Sequence, residues 1–304
     1  MKLGFIGSGA MGQPMALRLL RAGHTLGVWA RRPAALLGLE RAGARAYATP
    51  AELARNAEVL FTMVTGGADV EAVALGDGGL IHGAARGSVL IDHSTIAPDA
   101  ARRIAARLAV AGVDMLDAPV SGGVQGAIDG TLSIMVGGDA AVLARLRPLL
   151  QQLGRTIVHI GAGGAGQVAK ACNQLVMVSC IGAVAEAMRL ARQAGADAEK
   201  VRRALAGGSA GSRVLDVFGA KMTARDFAAG VEARLHHKDF GILMNEAQAC
   251  GAPLPVAGQV GQQLNALMAQ GWGGADTASL LRVLERASEG EAGAAEIVRV
   301  SEML

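Results

Sequence analysis

Short apolar runs alternate with helical patterns through the first half of the chain. LGFIG, TLGVWA, EVLFTMV and SVLIDHS read as strands, and PMALRLLRAG, a segment after TLGVWA and a segment around DVEAVAL read as helices. This alternation predicts a parallel sheet with helices on both faces. Further strands are expected at VDMLDAPV, TLSIMVGG and TIVHIG. From Gly166 onward the strand signal vanishes, and helical patterns cover 166–194, 197–206, 211–222, 233–250 and 254–270. The expected division is an α/β domain over 1–162 and an all-α domain over 163–304, in keeping with about 150 residues per domain. No Pro- or Ser-rich linker separates the two, so the helix over about 166–194 is expected to join them.

Composition narrows the function classes. Net charge is only +3 with basic residues scattered, and aromatic residues make up 3%, so neither the basic footprint nor the stacking platforms of a nucleic-acid binder are present. The longest apolar run, Leu175 to Ala185, is short of the roughly 20 residues of a membrane span and reads as a buried helix. Glycines interrupt MKLGFIGSGAMG before an h-region can form, so no signal peptide is read. Cys172, Cys180 and Cys250 lack CxxC spacing, which points away from a disulfide framework or zinc site and suits a reducing cytoplasm.

Gly7-Ser8-Gly9-Ala10-Met11-Gly12 is a GxGxxG directly after the strand LGFI and directly before a helix. In that setting Gly7 makes a tight turn, Gly9 admits a pyrophosphate and Gly12 lets helix and strand pack closely. The helix N-terminus then offers N–H groups and a positive dipole end to the phosphate. At the end of the second strand, where an NAD site carries an acid, the chain reads Trp29-Ala30-Arg31-Arg32-Pro33. Guanidiniums there can hold a 2′-phosphate, so NADP(H) is preferred and NAD(H) remains possible.

Asp117-Ala118-Pro119-Val120-Ser121-Gly122-Gly123 ends a strand in a Ser-Gly-Gly turn whose uncovered N–H groups and hydroxyl suit a carboxylate. Lys170 is the only full charge between Arg155 and Glu186. On a helix it shares a face with Asn173, Gln174, Met177 and Ile181. A lysine in such a wall either snorkels to water or faces a polar cleft, where it could stabilise an alkoxide formed on hydride arrival.

GFIGSGAMGQPMA, DAPVSGGVQGAIDGTLSIMVGG, GAGGAGQVAKACNQ and HKDFGILM, in this order and over almost the whole chain, resemble the β-hydroxyacid dehydrogenase family. Within it, GGSAGSRVLD and EARLHHKD are most similar to tartronate semialdehyde (2-hydroxy-3-oxopropionate) reductases. The resemblance implies a Rossmann-type N-terminal domain, a long interdomain helix and an all-α C-terminal domain through which a homodimer or homotetramer forms. It implies Lys170 as catalytic acid/base, Ser121, Gly122 and Gly123 on the substrate carboxylate, and Asn173 on the substrate oxygen. Thr95, in DHSTIAP, matches the position near substrate and nicotinamide, and Lys238 matches a cofactor contact. Met63-Val64 fits the family's cofactor loop in part, because Thr65 stands where the family usually has Pro. The implied activity is NADP(H)-dependent reduction of a short 3-oxo carboxylate to its 3-hydroxy acid.

Other signals carry less. Neighbouring helical positions point about 100° apart, so His236-His237 does not chelate one ion, and no metal is expected. Asp92 and His93 have no nucleophile elbow around them. Asp117 reads as a strand-end residue, and Met135, Met177, Met188 and Met244 as core. A nucleotide sensor without chemistry is the rival reading, but such a protein has no need of Lys170, Asn173 and Ser-Gly-Gly together.

Overall fold

The structure, a computed structural model, describes residues 1–287; the end of the expected all-α region, 288–304, lies outside them. The chain divides into two compact units, Met1–Ala171 and Cys172–Leu304. In the first, β1 (Lys2–Ile6), β2 (Thr25–Trp29), β3 (Arg45–Ala46), β4 (Val59–Thr62), β5 (Val89–Asp92), β6 (Asp114–Asp117), β7 (Val120–Ser121), β8 (Leu132–Gly137) and β9 (Gly154–Gly161) form one sheet. Its order is β3-β2-β1-β4-β5-β6-β8-β7, with β9 paired to β8. The strands from β3 to β6 run parallel, with Leu3 opposite Leu26 and Val59, and Val59 opposite Val89. β8 departs from the expected parallel sheet and runs antiparallel to β6 and β7. Only residues 122–131 separate β7 from β8, fewer than the dozen or more that a parallel crossover needs.

Period-two alternation sorts the strand residues between two cores. Phe5, Val59, Phe61, Val89 and Ile91 pack with Met15 and Leu19 of α1 (Gly12–Arg21). α2 (Leu37–Arg41) adds Leu39 to this core, and α7 (Ala140–Leu150) adds Leu146 and Leu150. Ile6, Leu60 and Leu90 face the other way, onto Leu53 of α3 (Pro50–Arg55), Val70 of α4 (Gly67–Leu75), and Ile104 and Leu108 of α5 (Pro98–Val110). The sheet is thus covered on both sides, which is why its strands read as continuous apolar runs. α6 (Gly123–Asp129) fills the β7–β8 connection. Leu60 is fully buried, so Leu60→Ala would cost about 2–5 kcal/mol.

The second unit is helical. α8 (Ala165–Gln193) crosses the boundary between the units, followed by α9 (Ala198–Ala206), a π-helical turn (Leu215–Gly219) that continues into α10 (Ala220–Ala224), α11 (Ala233–Cys250) and α12 (Pro255–Ala269). α9 starts at 198 rather than 197 because the Asp197 carboxylate caps it, accepting from the N–H groups of Glu199 and Lys200. By length and composition α8 could cross a membrane, with a mean hydropathy of 1.5 over its most apolar 18 residues. The core helix of a soluble protein has the same signature, and Val178, Ile181, Ala185 and Met188 form a buried stripe along it. Met244, expected in the core, is instead 38% exposed. It stands one position past the inward-facing Leu243 and is turned about 100° from it.

Candidate active site

The glycines of the first βα turn do different work. Gly7 has φ +100°, and a Cβ there would sit 2.1 Å from the Met63 carbonyl oxygen and 3.2 Å from Val64 Cγ1. A Cβ on Gly12 would fall 1.9 Å from the Gly7 carbonyl oxygen and 3.1 Å from Phe5 Cε1. Both positions are closed by the protein itself, and the loop is thereby pressed against Met63-Val64. At Gly9 nothing lies within 4 Å of the added carbon. The space there is open, as a site for a pyrophosphate requires. No side chain caps α1, whose N-cap residue is Met11 beside the exposed Ala10, and its first turn has no acid. Its N-terminus is therefore electrostatically suited to a phosphate.

Arg31 and Arg32 are exposed just past β2. Arg31 Nη1 lies 3.3 Å from Asp69 Oδ1 in the first turn of α4. A carboxylate thus reaches the place where the arginines would clamp a phosphate.

The carboxyl ends of β4, β5 and β6 carry a buried polar chain. Asp92 Oδ1 accepts from Thr62 Oγ1 at 2.7 Å and from the Ser94 N–H at 3.0 Å. Ser94 Oγ accepts from the Val64 N–H at 3.0 Å, tying this segment to the Met63-Val64 loop. Burial outweighs these bonds and raises Asp92 to a pKa of about 6. His93 Nδ1 lies 2.6 Å from the Ala118 carbonyl oxygen, its ring stacks on Phe61, and burial lowers it to about 4. Both stand at the carboxyl end of the interior strand β5, bonded to the neighbouring β4 and β6 segments and without the nucleophile of a hydrolytic triad.

Asp117 anchors α8. Its carboxylate accepts from the Gly164 N–H at 2.7 Å and the Gln167 N–H at 3.0 Å. Burial raises its pKa despite these donors. The helix N-terminus so pinned brings Lys170, 8% exposed, against the Val120–Gly123 turn, where its Nζ donates to the Val120 carbonyl oxygen at 2.9 Å. The lysine does not snorkel. Ser121 follows Val120 and pairs with Ser133, and Gly122 and Gly123 continue the turn with φ of +135° and +64°. The structure therefore brings together Gly7 and Met63-Val64, and likewise Lys170 and the Ser121-Gly122-Gly123 turn. Thr95 lies between Ser94 and Ile96, both bonded to Gln167. Gln167, Asp117 and Asp69 are the residues that sequence reasoning left without a site role.

In the second unit, Asn173 Nδ2 donates to Gln174 Oε1 at 2.8 Å, and Gln174 Nε2 donates to Asp239 Oδ2 at 2.6 Å. Lys238 Nζ stands 3.0 Å from Asp239 Oδ1. His236 and His237 take separate partners, Thr277 Oγ1 at 2.7 Å and Asn265 Oδ1 at 2.8 Å.

Comparison with known proteins identifies the family. Residues 2–161 match the family model described as the NAD binding domain of 6-phosphogluconate dehydrogenase, and residues 164–284 match that of the NAD-binding region of NADP-dependent 3-hydroxyisobutyrate dehydrogenase. The 2-hydroxy-3-oxopropionate reductase of Escherichia coli (strain K12) is 42% identical over 287 residues, which span 94% of this chain and 97% of that protein. A 3-hydroxyisobutyrate dehydrogenase of Pseudomonas aeruginosa is 40% identical over 275 residues, 88% of this chain and 92% of that one. A solved Mycobacterium tuberculosis 3-hydroxyisobutyrate dehydrogenase with L-serine superposes with a TM-score of 0.85 at 32% identity, covering 93% of this chain and 99% of its own. Matched over most of its length by such relatives and built around a dinucleotide loop, the chain is an NAD(P)-dependent oxidoreductase and belongs to the β-hydroxyacid dehydrogenase family.

Proposed function

We propose that the protein reduces 2-hydroxy-3-oxopropionate to glycerate with NADP(H). The observation that carries this reading is the buried Lys170 ammonium bonded to the Val120 carbonyl at the foot of the Ser121-Gly122-Gly123 turn. A short acid gripped at the turn by its carboxylate holds its carbonyl carbon only a bond or two away, within reach of the same lysine. Ser121 Oγ and the N–H groups of Gly122 and Gly123 take the carboxylate, and Asn173 donates to the substrate oxygen. NADP(H), held by Gly7, Gly9, Ala10, Met11, Gly12, Met63, Val64, Thr95 and Lys238, with Arg31 and Arg32 on the 2′-phosphate, supplies the hydride when bound. Lys170 gives its proton to the carbonyl oxygen as the carbon is reduced, and takes it back in the reverse direction. Such acid–base assistance contributes about 10²–10⁴-fold.

The 40% identical 3-hydroxyisobutyrate dehydrogenase supports a second reading, in which a different small β-hydroxy acid is oxidised at the same lysine and turn. Glyoxylate, whose carbonyl is one bond from its carboxylate, fits the same grip, and succinic semialdehyde, with its aldehyde three bonds away, tests its reach. Assays with NADPH and NADH against 2-hydroxy-3-oxopropionate, glyoxylate, succinic semialdehyde and methylmalonate semialdehyde, and in reverse with 3-hydroxyisobutyrate and L-serine, decide between them. Turnover greatest with 2-hydroxy-3-oxopropionate and NADPH is expected. Silence across the panel would favour a nucleotide sensor.

We also propose self-association through the helical unit in a cytoplasmic protein. Val176 and Leu190, 70% and 68% exposed along α8, support the first part. Light scattering that finds only monomer would overturn it.

A further inference from the structure

We infer that Gln167 is the positioning residue that fixes Thr95 relative to Lys170. This inference rests on the roles proposed above for those two residues. Gln167 is 1% exposed in the first turns of α8. Its Oε1 accepts from the Ile96 N–H at 3.1 Å, and its Nε2 donates to the Ser94 carbonyl oxygen at 2.8 Å. These are the backbone groups on either side of Thr95. The side-chain amide thus acts as a strand partner for that one residue, and it can do so because it offers one acceptor and paired donors on a single plane. Its own backbone N–H is fixed on Asp117 Oδ2 at 3.0 Å.

From the other side, the Thr95 segment is held by Ser94 Oγ on the Val64 N–H and by the Ser94 N–H on Asp92. One turn past Gln167, at i+3 on the same helix face, Lys170 donates to Val120. Gln167 therefore stands between the loop for the nicotinamide and the lysine that serves as acid. A merely cohesive contact has no reason to bracket Thr95 alone, whereas a reaction depends on the placement of both groups to within fractions of an ångström.

Two variants separate positioning from folding. Gln167→Leu removes both bonds at similar volume. Gln167→Glu is a switchable copy, because a protonated carboxyl keeps one donor and one acceptor while a carboxylate has nothing to give the Ser94 carbonyl. The titratable groups around it are Asp117 at its N–H, Asp92 through Ser94, His93 next to Ser94, and Lys170 one turn on. Taking the ratio of variant to wild-type kcat at each pH cancels their own titrations.

For Gln167→Glu that ratio is expected near unity at about pH 5 and lower by about tenfold or more at about pH 8. For Gln167→Leu it should be about tenfold down or more at every pH, with NADPH affinity within about threefold of wild type. A cohesive role alone would lower the folded fraction and leave the kcat of folded protein and its pH profile unchanged. Flat ratios near unity for both variants overturn the inference. Amide exchange at Ile96 supplies a readout independent of turnover, and in Gln167→Leu its protection should fall by about tenfold or more. Unchanged protection overturns the bracket whatever the activity. Should the wild-type protein reduce no semialdehyde, the functional reading fails and exchange alone decides this one. Should Gln167→Leu not fold, Gln167→Glu carries both measurements, with Ile96 exchange compared between the two pH values.

Discussion

Alanine at Gly9 and at Gly12 should shift stability in opposite directions, and Gly9→Ala should weaken NADPH binding. At Gly12 the new methyl would sit 1.9 Å from a backbone oxygen and 3.1 Å from a buried phenylalanine ring. Neither can move without displacing β1 or α1, so the cost is that of overpacking, about 1–3 kcal/mol, which lowers Tm by roughly 2–12 °C for a chain of this size. At Gly9 the methyl meets nothing within 4 Å, and the backbone is not in the left-handed region. Restricting the unfolded chain should then stabilise by about 0.4–1 kcal/mol, or roughly 1–4 °C. The same methyl projects into the space assigned to the pyrophosphate. NADPH binding should weaken by about tenfold or more, at least about 1.4 kcal/mol. Scanning calorimetry and fluorescence titration with NADPH measure the two quantities on the same samples. Gly9→Ala with wild-type affinity, or with a lowered Tm, would refute the division of labour drawn from the loop.

Lys170→Ala should lower kcat by about 10²–10⁴-fold in steady-state assays while NADPH affinity stays within about threefold; near wild-type turnover would remove the lysine from the chemistry. Arg31→Ala and Arg32→Ala should raise KM for NADPH more than for NADH, and Asp69→Asn should lower KM for NADPH by up to about fivefold, because the ion pair it releases is exposed and worth about 0.2–1 kcal/mol. Equal effects on the two cofactors would count against a 2′-phosphate clamp. Asp92, raised from 3.8 to about 6, adds stability that is present below pH 3.8 and lost as pH rises through 6. His93, lowered from 6.5 to about 4, adds stability that is present above pH 6.5 and lost as pH falls through 4. Between those limits folding moves one proton from His93 to Asp92 and the two slopes cancel, so Asp92→Asn should make stability rise by about 1.4 kcal/mol per pH unit more steeply than in wild type. Urea denaturation at steps from about pH 4 to 6.5 that gives equal slopes would disprove the buried proton.

The nucleotide loop and Lys170 were legible because each breaks a local rule. Glycines stand where a helix begins, and an ammonium stands in an apolar run. The helical half was legible from its periodicity, with α11 at 233–250 as read. The direction of β8 was not, since side-chain alternation is the same in parallel and antiparallel strands and only the length of the connection differs. Gln167 and Asp117 carried no signal of their own: each acts on backbone groups 47–73 residues away, and a glutamine near the start of a helix is ordinary. The spacing of Gln167 three residues before Lys170 was the one available clue. Asp69 was hidden in the same way, because an acid in the first turn of a helix is explained by the dipole alone.

Polar residues in the sheet gather at the carboxyl ends of its central strands. β4, β5 and β6 are Val-Leu-Phe-Thr, Val-Leu-Ile-Asp and Asp-Met-Leu-Asp, and each ends its buried stretch in a polar side chain at the carboxyl end. Stability gives no reason for this. Burial works against the charges of Asp92 and Asp117, as their raised pKa values show, and apolar residues of the same size would be cheaper there. Asp92 and Asp117 hold the Ser94 segment and the start of α8, Ser94 Oγ in turn holds the Val64 loop, and those are the parts that reach the crevice where ligands of open α/β sheets bind. A sensor needs only the glycine loop and the arginines to hold a dinucleotide. Under the proposed function, Lys170 is also fixed against the Ser121-Gly122-Gly123 turn, and that placement serves proton transfer, for which a sensor has no use.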